Sequence, residues 1–262
     1  MNIDISNKTA LVCGSSQGIG KAIAVELALL GANVILFARN ESGLKEVVEL
    51  LNTSKGQQHE YLVADFNNVD NVKQMIEDFV AKGNIINILV NNSGGPSGGP
   101  ITEAGEEEFL ETFKRHLLCN QVLVKAVKEG MITSGYGRIV NIISTSVKEP
   151  LAGLGVSNTI RGAVASWAKT MAGELGPHGI TVNNVLPGAT NTVRLESLIE
   201  IKSKKTGQSV DEIKGEWLNK IPMNRFADAS EIANAVAFLV SPAAGYINGI
   251  NLPVDGGRTG CL

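Results

Sequence analysis

Three glycines between a short apolar run and a helix-forming segment constrain the fold of this 262-residue chain more than any other feature. Gly14, Gly18 and Gly20 follow the run 9–13 (TALVC) and open the stretch from Lys21 to Leu30. Glycine permits a sharp turn and lets an anion approach the backbone, and the N-terminus of the following helix attracts negative charge. In this strand–turn–helix context the spacing predicts a dinucleotide pyrophosphate site, with a tight structural turn as the alternative. The candidate site is Gly14, Ser15, Ser16, Gln17, Gly18, Ile19 and Gly20.

Short β-branched runs alternate with longer amphipathic segments along the whole chain. Strands are predicted at 9–13, 33–37, 61–64, 85–90, 138–143, 180–186 and 250–254, and helices at 21–30, 42–51, 69–81, 106–131, 157–175 and 229–239. Apolar strands between helices indicate an α/β fold, a doubly wound parallel seven-stranded sheet with helices on both faces (Rossmann fold). We expect one domain over 1–262, in which residues 190–228 are polar and less regular.

Charge, cysteines and hydropathy exclude several classes of protein. A net charge of −3 indicates no basic surface for nucleic acid or an anionic membrane. Cys13, Cys119 and Cys261 are widely spaced, which favours reduced thiols over a disulfide framework or a zinc site, and we expect no metal. The segment 1–8 has no apolar signal core, and no run approaches the ~18 apolar residues of a membrane span. A soluble, cytoplasmic protein is expected.

The end of the second predicted strand bears on which dinucleotide is bound. NAD-binding domains place a carboxylate about 20 residues after the glycine turn, on the ribose 2′-hydroxyl. Here the chain reads Phe37-Ala38-Arg39-Asn40, with no acid at that edge. Arg39 is suited to a 2′-phosphate, although a solvated surface arginine is the alternative. NADP(H) is therefore favoured over NAD(H).

These motifs, in their order along the chain, resemble the short-chain dehydrogenase/reductase family, particularly its 3-oxoacyl-carrier-protein reductase-like branch. The resemblance covers essentially the whole chain and rests on the glycine turn, on Asn91-Asn92-Ser93-Gly94, on the strand 138–144 and on 249–257. It implies that the cofactor site also includes Arg39 and Asn40, Asp65 and Phe66 at the adenine, and Asn92, Ser93 and Gly94 at a ribose. The nicotinamide end would be bound by Pro187, Gly188, Thr190 and Thr192.

The sequence departs from this family at the expected catalytic residues. The family uses a serine, a tyrosine and a lysine four residues beyond that tyrosine. Ser144 matches the serine, but Ser157 and Arg161 stand where tyrosine and lysine are expected. His116 occupies the position of the family's helix asparagine, with Asn120 one turn later. The predicted catalytic set is Ser144, Ser157, Arg161 and His116.

The substituted residues have different proton chemistry. An aliphatic hydroxyl is a weaker acid than a phenol, and arginine does not shed its proton. Arg161 is still suited to the ribose hydroxyls of the cofactor, so it is also a cofactor-binding candidate. His116, which ordinarily titrates near neutrality, is a candidate proton source through Ser157 or water; a histidine with only a structural bond is an equal alternative.

Three functions remain compatible with these residues. The first is an NADP(H)-dependent oxidoreductase that interconverts a carbonyl and an alcohol, on a 3-oxoacyl-type or other small ketone. The second is a catalytically silent cofactor-binding protein that acts as a regulatory or partner subunit. The third is another reaction on the same scaffold, such as dehydration or epimerisation.

The resemblance also implies an assembly and a covered substrate pocket. Phe109, Phe113 and Leu117 recur every four residues on the helix that packs against a symmetry mate in this family, so a homo-oligomer, a dimer or tetramer, is expected. Residues 190–228 would cover the substrate; Trp217 and Met223 would line the pocket or pack in the core. His59 and His178 are expected to be solvated.

Overall fold

A seven-stranded parallel sheet forms the centre of the molecule. The computed structural model describes residues 1–261. The strands are β1 Thr9–Cys13, β2 Asn33–Ala38, β3 Glu60–Val63, β4 Ile88–Asn91, β5 Gly137–Ile142, β6 Ile180–Pro187 and β7 Asn251–Val254. They lie in the order β3-β2-β1-β4-β5-β6-β7, and every neighbouring pair is parallel. The predicted architecture is confirmed, and the predicted strand ends differ by at most three residues.

Helices cover both faces of this sheet. They are α1 Gly18–Leu29, α2 Glu41–Leu50, α3 Val69–Ala81, α4 Glu106–Phe113, α5 Cys119–Thr133, α6 Gly155–Leu175, α7 Val193–Thr206, α8 Val210–Leu218 and α9 Ala229–Val240. Because strand side chains alternate, β1 sends Ala10 and Val12 into the core under α1 and α9. Leu11 and Cys13 enter the opposite core, under α3 and α5. Both faces of the strand are buried, which is why its sequence is continuously apolar.

The predicted long helix 106–131 is interrupted. A π-helical segment, Lys114–Leu118, separates α4 from α5 and contains the buried His116. An extra residue in one turn shifts the side chains that follow, and such segments are frequent at functional sites. Periodicity in the sequence did not reveal it, because the helical pattern continues on both sides.

The segment 190–228 is more regular than expected. Thr192 caps α7 by accepting from the Leu195 amide, and a capping box at Ser209 and Glu212 starts α8. The two helices enclose their own apolar cluster of Leu195, Ile199 and Ile213, against which Trp217 packs. Trp217 is therefore a core residue of this segment, whereas Met223 is 59% exposed.

An asparagine ladder crosses the four strands β4 to β7. Three Nδ2 groups each donate to the Oδ1 of the next asparagine at 2.8 Å, and the members occupy paired register positions: Asn91, Asn141, Asn184 and Asn251. Asn141 is fully buried. The ladder fixes the register of these strands, from the last residue of β4 to the first residue of β7.

The histidines His59 and His178 lie in different surroundings. His59 is not merely solvated: its Nδ1 accepts from the Val34 amide at 3.1 Å, and its Nε2 lies 3.0 Å from the Asn52 carbonyl oxygen. His178 is exposed, as predicted. Across residues 1–261, no helix combines the length and apolar character needed to cross a bilayer.

Candidate active site

The glycine turn after β1 is shaped by close backbone contacts. Gly14 and Gly18 adopt φ values of +59° and +56°, which favour glycine. A Cβ on Gly20 would lie 2.2 Å from the Gly14 carbonyl oxygen, so no side chain fits there. The Asn92 amide closes the turn by donating to the carbonyl oxygens of Cys13 and Gly14, at 3.2 and 3.3 Å. The β1 turn and the loop after β4 therefore form one rigid unit.

The N-terminus of α1 fits a cofactor's pyrophosphate. Its N-cap residue, Gln17, makes no capping hydrogen bond, and the first turn contains no acidic side chain. The first-turn N–H groups consequently keep their partial positive charge for a bound anion. Ser15 is buried and accepts from the Phe37 amide at 3.0 Å, so its hydroxyl holds the turn against β2.

The edges of β2 and β3 lie where the adenosine end of a dinucleotide is expected. Arg39 is exposed directly after β2. Asn40 caps α2 through the Gly43 amide, and Ser16 lies beside that same glycine. Beyond β3, the Asp65 carboxylate accepts from the Asn67 amide, while Phe66 packs edge-on against Phe37 with ring centroids 5.3 Å apart.

The loop after β6 returns to the glycine turn. Gly188 allows close packing, because a Cβ there would lie 2.7 Å from Asp255 Cα. Thr190 is buried and donates to the Gly188 carbonyl oxygen, and Thr192 donates to the Thr190 carbonyl oxygen. The Thr192 methyl group lies 3.5 Å from where a Gly18 Cβ would be. The loop after β6 therefore lies beside the glycine turn at the carboxyl edge of the sheet.

Ser157 and Arg161 are adjacent on one face of α6. Arg161 Nε donates to Ser157 Oγ at 3.3 Å, and Nη1 donates to the Ile142 carbonyl oxygen at 3.1 Å. Two residues beyond Ile142, the Ser144 hydroxyl accepts from the Ser146 amide at 3.1 Å. Burial, then the charge of Arg194, lowers the pKa of Arg161 to about 10, so the guanidinium remains charged at neutral pH. The site therefore contains a buried cation that is hydrogen-bonded to the Ser157 hydroxyl group and to the last residue of β5.

His116 is buried and does not titrate in its usual range. Its Nδ1 lies 2.7 Å from Ser93 Oγ, and its buried Nε2 has no hydrogen-bond partner within residues 1–261. Burial, then the charges of Arg161 and Arg115, lowers the pKa of His116 well below the ordinary histidine value. The expectation that it titrates near neutrality is wrong: the surrounding cations make the protonated ring unfavourable, and His116 is neutral at pH 7.

Two arginines that sequence reasoning missed lie in the same region. Arg194, in the first turn of α7, donates through Nη2 to the Pro96 carbonyl oxygen at 2.6 Å. Arg115 donates through Nε to Asn67 Oδ1 at 2.8 Å and through Nη1 to the Gly94 carbonyl oxygen at 3.4 Å. Arg194 had one local signal, because a cation in the first turn of a helix opposes the helix dipole. No local signal in the sequence pointed to Arg115.

None of the three tyrosines of the chain, all within residues 1–261, contacts Ser157. Tyr136 directly precedes β5, and its hydroxyl donates to the Val240 carbonyl oxygen. The charged groups of Lys8 and Arg138 lie over its ring. Tyr61 donates to Glu41, and Tyr246 is fully exposed. No tyrosine therefore replaces the one that is missing at position 157.

Comparison with known proteins agrees with this architecture. A family model described as enoyl-(acyl carrier protein) reductase matches residues 14–259. The chain is 34% identical to the 3-oxoacyl-[acyl-carrier-protein] reductase FabG of Vibrio cholerae, over 97% of this chain and 98% of the relative. The chain belongs to the short-chain dehydrogenase/reductase family. It is similar to the 3-oxoacyl-carrier-protein reductase branch of that family of NAD(P)-dependent oxidoreductases.

Two further relatives extend the comparison. A putative ketoacyl reductase of Streptomyces coelicolor is 32% identical over 96% of this chain and 97% of its own length. Among solved structures, the L-sorbose reductase of Gluconobacter frateurii, complexed with NADPH and L-sorbose, superimposes with a TM-score of 0.93 at 30% identity, covering 100% of both chains. The family's fold is therefore present over the full length of the chain.

Proposed function

We propose that this protein is an NADP(H)-dependent oxidoreductase that interconverts a carbonyl and an alcohol on a 3-oxoacyl-type or other small ketone substrate. The observation that carries the proposal is the contact of Arg161 with Ser157 and with Ile142 at the carboxyl end of β5, two residues before Ser144. Hydroxyl donors and a buried cation are the groups that stabilise negative charge on a substrate oxygen.

Each residue of the set has a chemical role in this proposal. A bound dinucleotide supplies or accepts the hydride. Ser144 and Ser157 donate hydrogen bonds to the substrate oxygen, and the charge of Arg161 stabilises the oxyanion that develops there. Arg161 remains a cation throughout, so water brings the proton to this oxygen. Neutral His116 orients that water or Ser93 and does not act as the resting acid.

The choice of NADP(H) rests on charge at the adenosine end. Arg39 is exposed directly after β2, and no acidic side chain follows that strand within two residues. A guanidinium favours a 2′-phosphate, whereas a carboxylate there would favour a free 2′-hydroxyl. Relatives of the same fold have been solved with NADPH, including the sorbose reductase and an actinorhodin polyketide ketoreductase.

A second candidate is a catalytically silent cofactor-binding subunit. It is favoured by one observation, the absence of any tyrosine near Ser157 among residues 1–261. A silent subunit would keep the fold and the cofactor site while its partner performs the reaction. A different reaction on the scaffold has no observation that favours it.

Kinetics on paired variants separate the two candidates. Loss of NADPH or NADH absorbance is followed with a panel of ketones and 3-oxoacyl thioesters, for the native protein, Ser157→Ala and the double variant Ser157→Tyr with Arg161→Lys. For an enzyme, native turnover falls about 100-fold or more in Ser157→Ala, as for loss of an oxyanion donor. An inert native protein whose double variant gains activity would establish the silent subunit instead.

A further inference from the structure

Three guanidinium groups converge on the loop that follows β4. Arg115 comes from the π-helical segment, Arg161 from α6 and Arg194 from α7, and each lies against a different part of residues 93–96. A Cβ on Gly95 would lie 3.5 Å from Arg161 Nη2 and 3.7 Å from Arg194 Nη2. Two guanidinium groups therefore face the same small space, where glycine supplies no side chain.

These positive charges have no carboxylate to neutralise them. Within the described residues 1–261, no Asp or Glu oxygen forms an ion pair with Arg115, Arg161 or Arg194. Their protein partners are neutral oxygens, those of Asn67, Ser157 and three backbone carbonyl groups. Concentrating like charges in a partly desolvated cleft is unfavourable unless an anion joins them.

Among the described residues, a buried ring nitrogen beside the same loop also has no hydrogen-bond partner. His116 lies against the same loop through Ser93, and its Nε2 is buried with no partner within residues 1–261. Buried ring nitrogens normally have a hydrogen-bond partner. Because His116 is uncharged among these arginines, a ligand that accepts from them and also meets Nε2 completes the site without adding a further cation.

We propose that these arginines form a subsite for a carboxylate group of the substrate, so that the protein acts on oxo acids or hydroxy acids. Planar guanidinium groups bind carboxylates with paired hydrogen bonds, which fits the two that meet over Gly95. The subsite adjoins Ser157, because Arg161 contacts both. The carboxylate is consequently held a few atoms from the carbonyl group that the serines would bind.

The cofactor's own phosphates are accounted for elsewhere. The uncapped N-terminus of α1 and the glycine turn fit the pyrophosphate, and Arg39 fits the 2′-phosphate. The arginine subsite follows β4 and is built from elements that come later in the chain. Arg115 and Arg194 are not part of the predicted cofactor site, so they are available to a second anion, whereas Arg161 is shared with the cofactor's ribose.

Binding of oxalate to the NADP⁺-saturated protein tests this subsite without requiring turnover. By isothermal titration calorimetry, the native protein binds oxalate but not its uncharged diamide, oxamide. Arg194→Gln weakens oxalate binding about 30-fold or more, whereas Arg194→Lys, which keeps the charge, weakens it less. Arg225→Gln is the matched control, since Arg225 is exposed and already paired with Glu231, and it binds oxalate like the native protein.

Three results would overturn the proposal. They are equal oxalate binding by native protein and Arg194→Gln, displacement of NADP⁺ by oxalate, and inorganic phosphate binding tighter than oxalate. Thermal unfolding of each variant confirms that Arg194→Gln is folded, and Arg115→Gln provides a second variant that must also weaken oxalate binding.

The carboxylate subsite rests on the proposed oxidoreductase activity, but different experimental results would contradict each of them. NADPH oxidation is compared with 2-oxobutanoate and with 2-butanone, which lacks the carboxylate. Preference for 2-oxobutanoate that is lost in Arg194→Gln supports both proposals. Arginine-dependent oxalate binding without turnover of either ketone supports the subsite and contradicts the oxidoreductase. Equal turnover of both ketones supports the oxidoreductase and contradicts the subsite.

Discussion

His116 illustrates how a residue's environment can reverse the property suggested by its type. A histidine ordinarily exchanges its proton near neutral pH, but this ring is buried beside Arg161 and Arg115, which oppose a further positive charge. In the unfolded chain the same ring is hydrated and takes up a proton as the pH falls below about 6.5. Folding therefore excludes a proton that the unfolded state binds.

This difference predicts a pH dependence of stability. Between the lowered pKa of His116 in the folded state and about 6.5, the unfolded state binds more protons than the folded state. The free energy of unfolding therefore rises with pH in this range and decreases as the pH falls. His116→Asn removes this contribution. Below pH ~6 the free energy of unfolding of the variant therefore falls less steeply than that of the native protein, by up to about 1.4 kcal/mol per pH unit. Urea unfolding from pH 5 to 7.5 measures the slope.

The exposed His178 supplies the control for that measurement. His178 is exposed, so His178→Asn makes the same change of side chain without removing a buried ring. If His116→Asn and native protein show parallel stability profiles over this range, His116 does not exclude a proton on folding.

At the scale of elements, the strands were the part of the fold most accessible from the sequence. The central strands are buried on both faces and therefore read as apolar runs between turn residues, as at 9–13 and 180–187. The π-helical segment 114–118 was not predicted, because inserting one residue in a turn leaves hydrophobic periodicity intact on either side. The helices α7 and α8 were missed because their apolar cluster is small and their remaining surface is polar.

The asparagine ladder was also invisible in the sequence, since its register exists only once the strands pair. Asn141 at its centre accepts from Asn91 and donates to Asn184, all of them buried. Asn141→Ala leaves two buried amide groups without partners, each of which costs about 1–3 kcal/mol. We expect this variant to lower the free energy of unfolding by about 2–5 kcal/mol in urea titrations.

Asn251 provides the internal comparison for the ladder. It lies at the half-buried end and accepts from Asn184 alone, so Asn251→Ala strands one group instead of two and costs less. Equal losses from the two substitutions would mean that the ladder does not stabilise the sheet through its hydrogen bonds.

At the scale of the whole molecule, all seven strands are parallel, so their carboxyl ends and the loops that follow them meet at one edge of the sheet. Motif spacing was enough to bring Gly18, Thr192 and Asn92 to one edge. The arginine subsite could not be predicted in that way, because Arg115 and Arg194 are far apart in the chain and acquire a common function only when α7 folds over the loop 93–96.

The surface of α4 carries the remaining prediction, that the protein assembles into a homo-oligomer. Phe109 and Phe113 are half-buried and belong to neither of the two main cores, and the neighbouring Leu110 and Leu118 are 51% and 36% exposed. We expect exposed apolar side chains such as these to be covered by a second copy of the chain. Placing a charge in such a contact leaves it desolvated and unpaired, which opposes association.

Phe109→Glu should therefore dissociate the assembly while leaving the fold intact. Light scattering after size-exclusion chromatography should show a dimer or tetramer for the native protein and the 27.6 kDa mass of a single chain for the variant. Leu50→Glu on α2 is the matched control, because Leu50 is 58% exposed on a helix outside this face and its substitution keeps the native mass. A native protein that is monomeric, or a Phe109→Glu variant that retains the full assembly, would show that this face of α4 does not hold copies of the chain together.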